Sequence, residues 1–207
     1  MKRTLLLISA VLLSLTAMAQ KVTLYMAGNQ TYECEIAQLD SIVFSKEPIE
    51  IVVTAYDDEN ADGGQLFEKR GNDFYIDDII YTVTADGNLE VGGNSSFSGV
   101  AFIISALKYK GKTMKVTRIG KYAFYGCSGL TAVTIGSGVT SIGWFAFDDC
   151  PNLTDVYCYA ENVPETDSSA FMDFLIASAT LHVPAGSVDA YKATEPWGYF
   201  GSIVAIE

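Results

Sequence analysis

Apolar residues recur along this chain with two different spacings. Val22, Leu24 and Met26 alternate with polar neighbours, Gly28-Asn29 offers a turn, and Tyr32, Cys34 and Ile36 alternate back. A period of two predicts strands, so residues 20–48 read as an N-terminal β-hairpin element that closes before Pro48. Ile49 to Ala55 is a further short strand, and Tyr56 to Gly64 is polar, acidic and glycine-ended, as a surface loop would be. From Asp73 the alternation resumes in Phe74, Ile76, Ile80 and Thr82. Asp86-Gly87 supplies a tight turn before Leu89 and Val91, and Lys110-Gly111-Lys112 supplies another towards Met114. Residues 49–115 therefore read as a β-rich linker and capping strands that cover the edge of the C-terminal half.

From Val116 the period lengthens. Val116-Thr-Arg-Ile119-Gly120-x-x-Ala123-Phe124-x-x-Cys127-x-x-Leu130-Thr-x-Val133-x-Ile135 returns as Val139-Thr-Ser-Ile142-Gly143-x-x-Ala146-Phe147-x-x-Cys150-x-x-Leu153-Thr-x-Val156-x-Cys158. A worn third copy keeps Val163, Ala170 and Phe171 in phase, with Leu181 and Val183 one residue late. A fixed period in the twenties predicts a solenoid, whose coils bury their apolar faces against one another. Its core would be Ile119, Phe124, Cys127, Leu130, Val133, Ile135, Ile142, Phe147, Cys150, Leu153, Val156, Phe171, Leu181 and Val183. Gly120 and Gly143, in equal phase, suggest a turn that needs backbone freedom. Pro184-Ala185-Gly186, a short helix over residues 187–194 and an aromatic finish would end the stack, so residues 116–207 hold the repeats and their C-terminal cap. The expected fold class is mainly β: a short repeat solenoid capped by the N-terminal hairpin region.

Residues 1–19 change the picture of where this happens. Met1-Lys2-Arg3, an apolar run from Leu5 to Leu15 and Ala17-Met18-Ala19 make a signal peptide with cleavage expected before Gln20. The run is too short for a membrane span, and no later segment of the mature chain is apolar enough to be one. No cysteine follows it closely, which argues against a lipoprotein anchor. The formal charge of −12 becomes −14 without Lys2 and Arg3, and so acidic a surface excludes nucleic acid as a partner. Four cysteines in an exported chain could form two disulfides, but Cys127 and Cys150 share one repeat phase, which suits buried free thiols.

The repeat unit resembles the BspA-like leucine-rich repeat of surface proteins from anaerobic Gram-negative bacteria and some parasites. Ala179-Thr180-Leu181-His182-Val183-Pro184-Ala185-Gly186 resembles that family's C-terminal repeat, and Leu39-Asp40-Ser41-Ile42-Val43-Phe44 a leader segment of the same exported group. The resemblance implies export to the envelope surface, a curved strand-lined solenoid and the capture of an extracellular protein or glycan. Relatives are described as binding host matrix proteins or host cells. Two clean copies make a shorter array than many relatives carry, and Gly136 stands where the family often has proline.

In such a strand the residues between apolar positions face outwards on the concave side. That brings Ala132, Thr134 and Gly136 beside Asp155, Tyr157 and Tyr159, with Thr180 and His182 next. Tyrosines give contact area at low entropic cost, so Asp155, Tyr157, Tyr159 and His182 are the candidate ligand contacts. They are equally what an ordinary solvated sheet carries. Asp58-x-Asn60-x-Asp62-Gly63 matches half of a calcium loop, but Lys69 stands where the bidentate glutamate belongs, so an acidic loop accounts for it. No nucleophile-elbow, phosphate-loop or zinc spacing occurs, and His182 is the single histidine. The reading is a binding protein without cofactor or catalysis; the alternative is an envelope-associated spacer with no soluble ligand.

Overall fold

The computed structural model describes the backbone of residues 10–11, 21–26, 30–35, 42–43 and 50–55, and residues 68–206 apart from 77, 110 and 172–175. The signal-peptide cleavage site and the half calcium loop of Asp58, Asn60 and Asp62 lie outside the described residues. The strands are β1 (Ala10–Val11), β2 (Lys21–Met26), β3 (Gln30–Glu35), β4 (Ile42–Val43), β5 (Glu50–Ala55), β6 (Glu68–Arg70), β7 (Asp73–Ile76), β8 (Ile79–Val83) and β9 (Leu89–Val91). They continue as β10 (Ser98–Phe102), β11 (Ala106–Tyr109), β12 (Lys112–Ile119), β13 (Gly129–Ile135), β14 (Ser141–Ile142), β15 (Asp155–Cys158), β16 (Glu165–Thr166), β17 (Thr180–Val183) and β18 (Ser202–Ala205). A short helix, α1 (Val188–Lys192), precedes β18.

Pairing changes character along the chain. β2 pairs antiparallel with β3 and with β5, and β6 to β9 form an antiparallel meander. From β9 onwards two all-parallel ladders form. One runs β9-β12-β14-β16, and the other β10-β13-β15-β17-β18. The chain thus crosses from one ladder to the other and back, one coil at a time. β9 and β10 sit ahead of the first clean sequence copy yet already occupy both ladders.

The recurring residues each have a physical task. Apolar positions of β13, β15 and β17 alternate with more exposed ones, and Val133, Ile135, Val156, Cys158, Leu181 and Val183 are wholly buried. Phe124, Phe147 and Phe171 stack at centroid separations of 5.4 and 5.2 Å with rings within 9° of parallel. The threonines of the second copy tie their coil to the one before: Thr140 Oγ1 lies 3.2 Å from Thr117 O and Thr154 Oγ1 3.2 Å from Thr131 O. Cys150 Sγ likewise donates to Phe124 O at 3.0 Å, and Cys127, Cys150 and Cys158 are buried free thiols.

The two in-phase glycines act differently from the expectation. Neither Gly120 nor Gly143 has positive φ; a Cβ would fall 2.7 Å from Val91 O at the first and 2.9 Å from Lys121 N at the second. They let adjacent coils approach closely. The left-handed backbone belongs instead to Tyr122 (φ 57°) and Phe145 (φ 54°), one repeat apart.

Candidate functional site

The β13-β15-β17 ladder sets the candidate residues in rows. Its register pairs Ala132 with Asp155 and Thr180, and Thr134 with Tyr157 and His182. Between these rows runs the buried row Val133, Val156 and Leu181, so the flanking side chains all emerge on the same outer face. The row of Thr134 continues to Phe102 on β10 and Val204 on β18.

Asp155, Tyr157 and His182 come together as one cluster. The Tyr157 and His182 rings stack at 4.1 Å and 10°, and His182 Nε2 lies 3.0 Å from Asp155 Oδ1. With its proton on Nε2, His182 donates to that carboxylate. Thr154 Oγ1 shares its one proton between Thr131 O and the other carboxylate oxygen, Asp155 Oδ2, which lies 2.9 Å away. The side chains of His182 and Asp155 are 20% and 36% exposed, so the cluster is ordered by its own contacts and still reaches solvent. Partial burial first, and then the Asp155 charge, push the Tyr157 phenol up from its ordinary value. Tyr157 is therefore a neutral hydrogen-bonding group throughout the physiological range.

Tyr159 stands apart from this cluster. Its N–H bonds Ile135 O at 3.0 Å just past the end of β15, and its side chain lines a cavity of about 590 Å³ with Val139, Val163 and Pro184. Asp155, Tyr157 and His182 do not line that cavity. Burial pushes the Tyr159 phenol up as well, with nearby Tyr157 adding to the effect.

The outward rows also hold residues that the sequence pattern did not single out, namely Thr154 and the edge residues Phe102 and Val204. A separate aromatic group sits on the crossings between ladders. Tyr122 stacks on Phe145 (5.4 Å, 20°) and meets Tyr125 edge-on (5.5 Å), with Tyr122 and Tyr125 exposed. The sequence does carry a signal for it: Tyr122 and Phe145 occupy one repeat phase just before the recurring Ala-Phe pair.

The model of the BspA type leucine rich repeat region matches residues 93–184 in six copies, starting one repeat period ahead of Val116. A leucine-rich repeat protein from Bacteroides capillosus is similar in structure, with 21% identity and a TM-score of 0.48, over 65% of this chain and 99% of that one. A leucine rich cell surface protein from Faecalibacterium prausnitzii has 19% identity and a TM-score of 0.42, over 66% of this chain and 40% of that one. A leucine-rich repeat protein from Bacteroides ovatus has 22% identity and a TM-score of 0.38, over 63% of this chain and 40% of that one. This chain spans about two fifths of the last two proteins. No curated protein sequence matches it.

Proposed function

We propose that this chain, whose residues 93–184 match the model of the BspA type leucine rich repeat region, is an exported binding protein whose outer strand face takes an extracellular partner. On this reading residues 93–205 form a short solenoid, the strands before it cover one end, and the chain acts at the cell surface without catalysis. The observation that carries it is the Asp155-Tyr157-His182 cluster: a stacked ring pair and a fixed carboxylate, half-open to solvent, on a rigid parallel sheet. Such a cluster offers a flat patch with aromatic area, one donor-acceptor phenol and one anion, at little ordering cost. Of the two partner classes, protein suits it better than glycan, because the cluster is a flat row and the neighbouring Tyr159 cavity does not include it. The basic, then apolar start of residues 1–19 supports export.

The test is a titration of the full mature chain against immobilised extracellular-matrix proteins and mucin. Binding should weaken about tenfold or more in Tyr157→Ala and in His182→Ala, as for buried aromatic anchors of interfaces. Binding that ignores both substitutions refutes the assignment of the face. Failure to bind any panel member, with co-purification of envelope components instead, supports the spacer reading.

A further inference from the structure

The β9-β12-β14-β16 ladder carries a groove unrelated to the strand-face cluster. It encloses about 680 Å³, within the range of ligand-binding clefts, and is bordered by Glu90, Arg118, Lys121, Trp144, Glu165 and Asp167. The register accounts for it: Glu90, Arg118, Ser141 and Glu165 face one another across β9, β12, β14 and β16. One turn further along, Lys121, Trp144 and Ser168 share a repeat phase and form the wall.

Trp144 is out of character there. Its indole is 52% exposed, although the other tryptophan, Trp197, is fully buried. Lys121 Nζ lies 4.4 Å from the ring centroid, and Asp167 lines the same groove. Asp167 is in turn oriented by Ser169, which donates from its backbone N–H (2.9 Å) and its Oγ (2.6 Å). An exposed indole with a fixed acceptor beside it, and Arg118 as a donor opposite, is the chemistry that holds a pyranose ring. The aromatic face packs on the C–H face of the sugar, while carboxylate and guanidinium take its hydroxyls.

Charge separates this ligand from others. Two cations and three carboxylates line the groove, so its charges nearly cancel on a chain whose net charge is −12. A polyanion would meet the acidic remainder of the chain, and a cationic peptide would meet Arg118 and Lys121. From this geometry we infer that the groove is a binding site for a neutral saccharide, with one sugar ring packed on Trp144 and its hydroxyls shared between Asp167, Glu165 and Arg118.

The experiment uses the full mature chain and three neutral trisaccharides: β1-4-linked N-acetylglucosamine, α1-4-linked glucose and α1-6-linked mannose. Trp144 supplies the optical signal, since Trp197 is shielded. At least one trisaccharide should shift the indole emission and protect it from acrylamide quenching, with little dependence on salt. By calorimetry, Trp144→Ala should weaken that binding about tenfold or more and Trp144→Phe only a few-fold, whereas Tyr157→Ala should leave it unchanged. The inference is overturned if none of the three binds, or if binding survives Trp144→Ala. It is overturned too if binding is lost in Tyr157→Ala instead, a result that leaves the strand-face reading standing.

Discussion

Phe147 lies 5.4 Å from Phe124 on one side and 5.2 Å from Phe171 on the other, nearly parallel to both. Its N–H also bonds Ala170 O at 2.8 Å, so the residue links three successive coils through ring and backbone at once. Phe97 meets the column edge-on at its first member, 5.7 Å from Phe124. Trp197 and Phe200 close it against Phe171 at 5.5 and 5.3 Å.

Truncating the middle of this column should cost more than truncating an end. Phe147→Ala removes both stacked contacts and leaves a cavity, for a loss of about 3–5 kcal/mol in urea unfolding. Because coils touch only their neighbours, a broadened or split transition is expected alongside the lower midpoint. A loss below about 1 kcal/mol would mean that the column does not hold the coils together.

The threonine ties make a sharper contrast, since the substitution is the same and the sign is opposite. Thr140 Oγ1 has its acceptor at Thr117 O, whereas Thr117 Oγ1 is buried without a partner among the described residues. Thr140→Val should lower stability by about 0.5–1.5 kcal/mol, and Thr117→Val should raise it by about 1 kcal/mol. Paired urea midpoints with unchanged slopes would read this directly.

Backbone strain predicts an ordering between two small residues. Phe145 sits at φ 54°, where a Cβ crowds the following carbonyl. Phe145→Ala and Phe145→Gly lose the same ring, yet the glycine variant should be the more stable by about 1 kcal/mol. Equal midpoints would place this residue outside the left-handed region in solution.

Alkaline pH should unfold the chain partly through its thiols. Burial pushes Cys150 up from 9.0 to about 12 and Cys158 from 9.0 to about 11. Below about pH 9 both thiols are protonated whether folded or unfolded, and their contribution is fully present. Above that the unfolded chain sheds protons that the folded chain keeps, so stability falls as pH rises towards about 11 for Cys158 and about 12 for Cys150. Cys150→Ala should flatten that fall relative to the parent chain, and identical slopes would contradict the burial of this thiol.

Much of the repeat core is legible in sequence because each coil faces the same neighbours, so the same residue types recur at the same phase. Ile119 and Ile142, Phe124 and Phe147, and Cys127 and Cys150 are pairs of this kind, and all six are buried. The coil of β9 and β10 is hidden for the opposite reason. It has Phe97 near the ring column but lacks the Ala-Phe and cysteine signals, and its strand pairing reveals the phase. The glycines mislead because close approach and positive φ leave the same mark in a sequence; contacts to Val91 O and Lys121 N distinguish them. The row shared by Tyr157 and His182 is implied by strand alternation, but the carboxylate bond of His182 depends on register across β15 and β17, which spacing alone does not give.

In β15 and β17 each inward side chain alternates with an outward one, and the two sets have separate duties. Outward positions can therefore change without touching what keeps the sheet upright. Exchanging Tyr157 or His182 for another residue alters the outer face, while Val156 and Leu181 go on meeting the same neighbours. On the proposed function, recognition is open to drift on a scaffold that stays put.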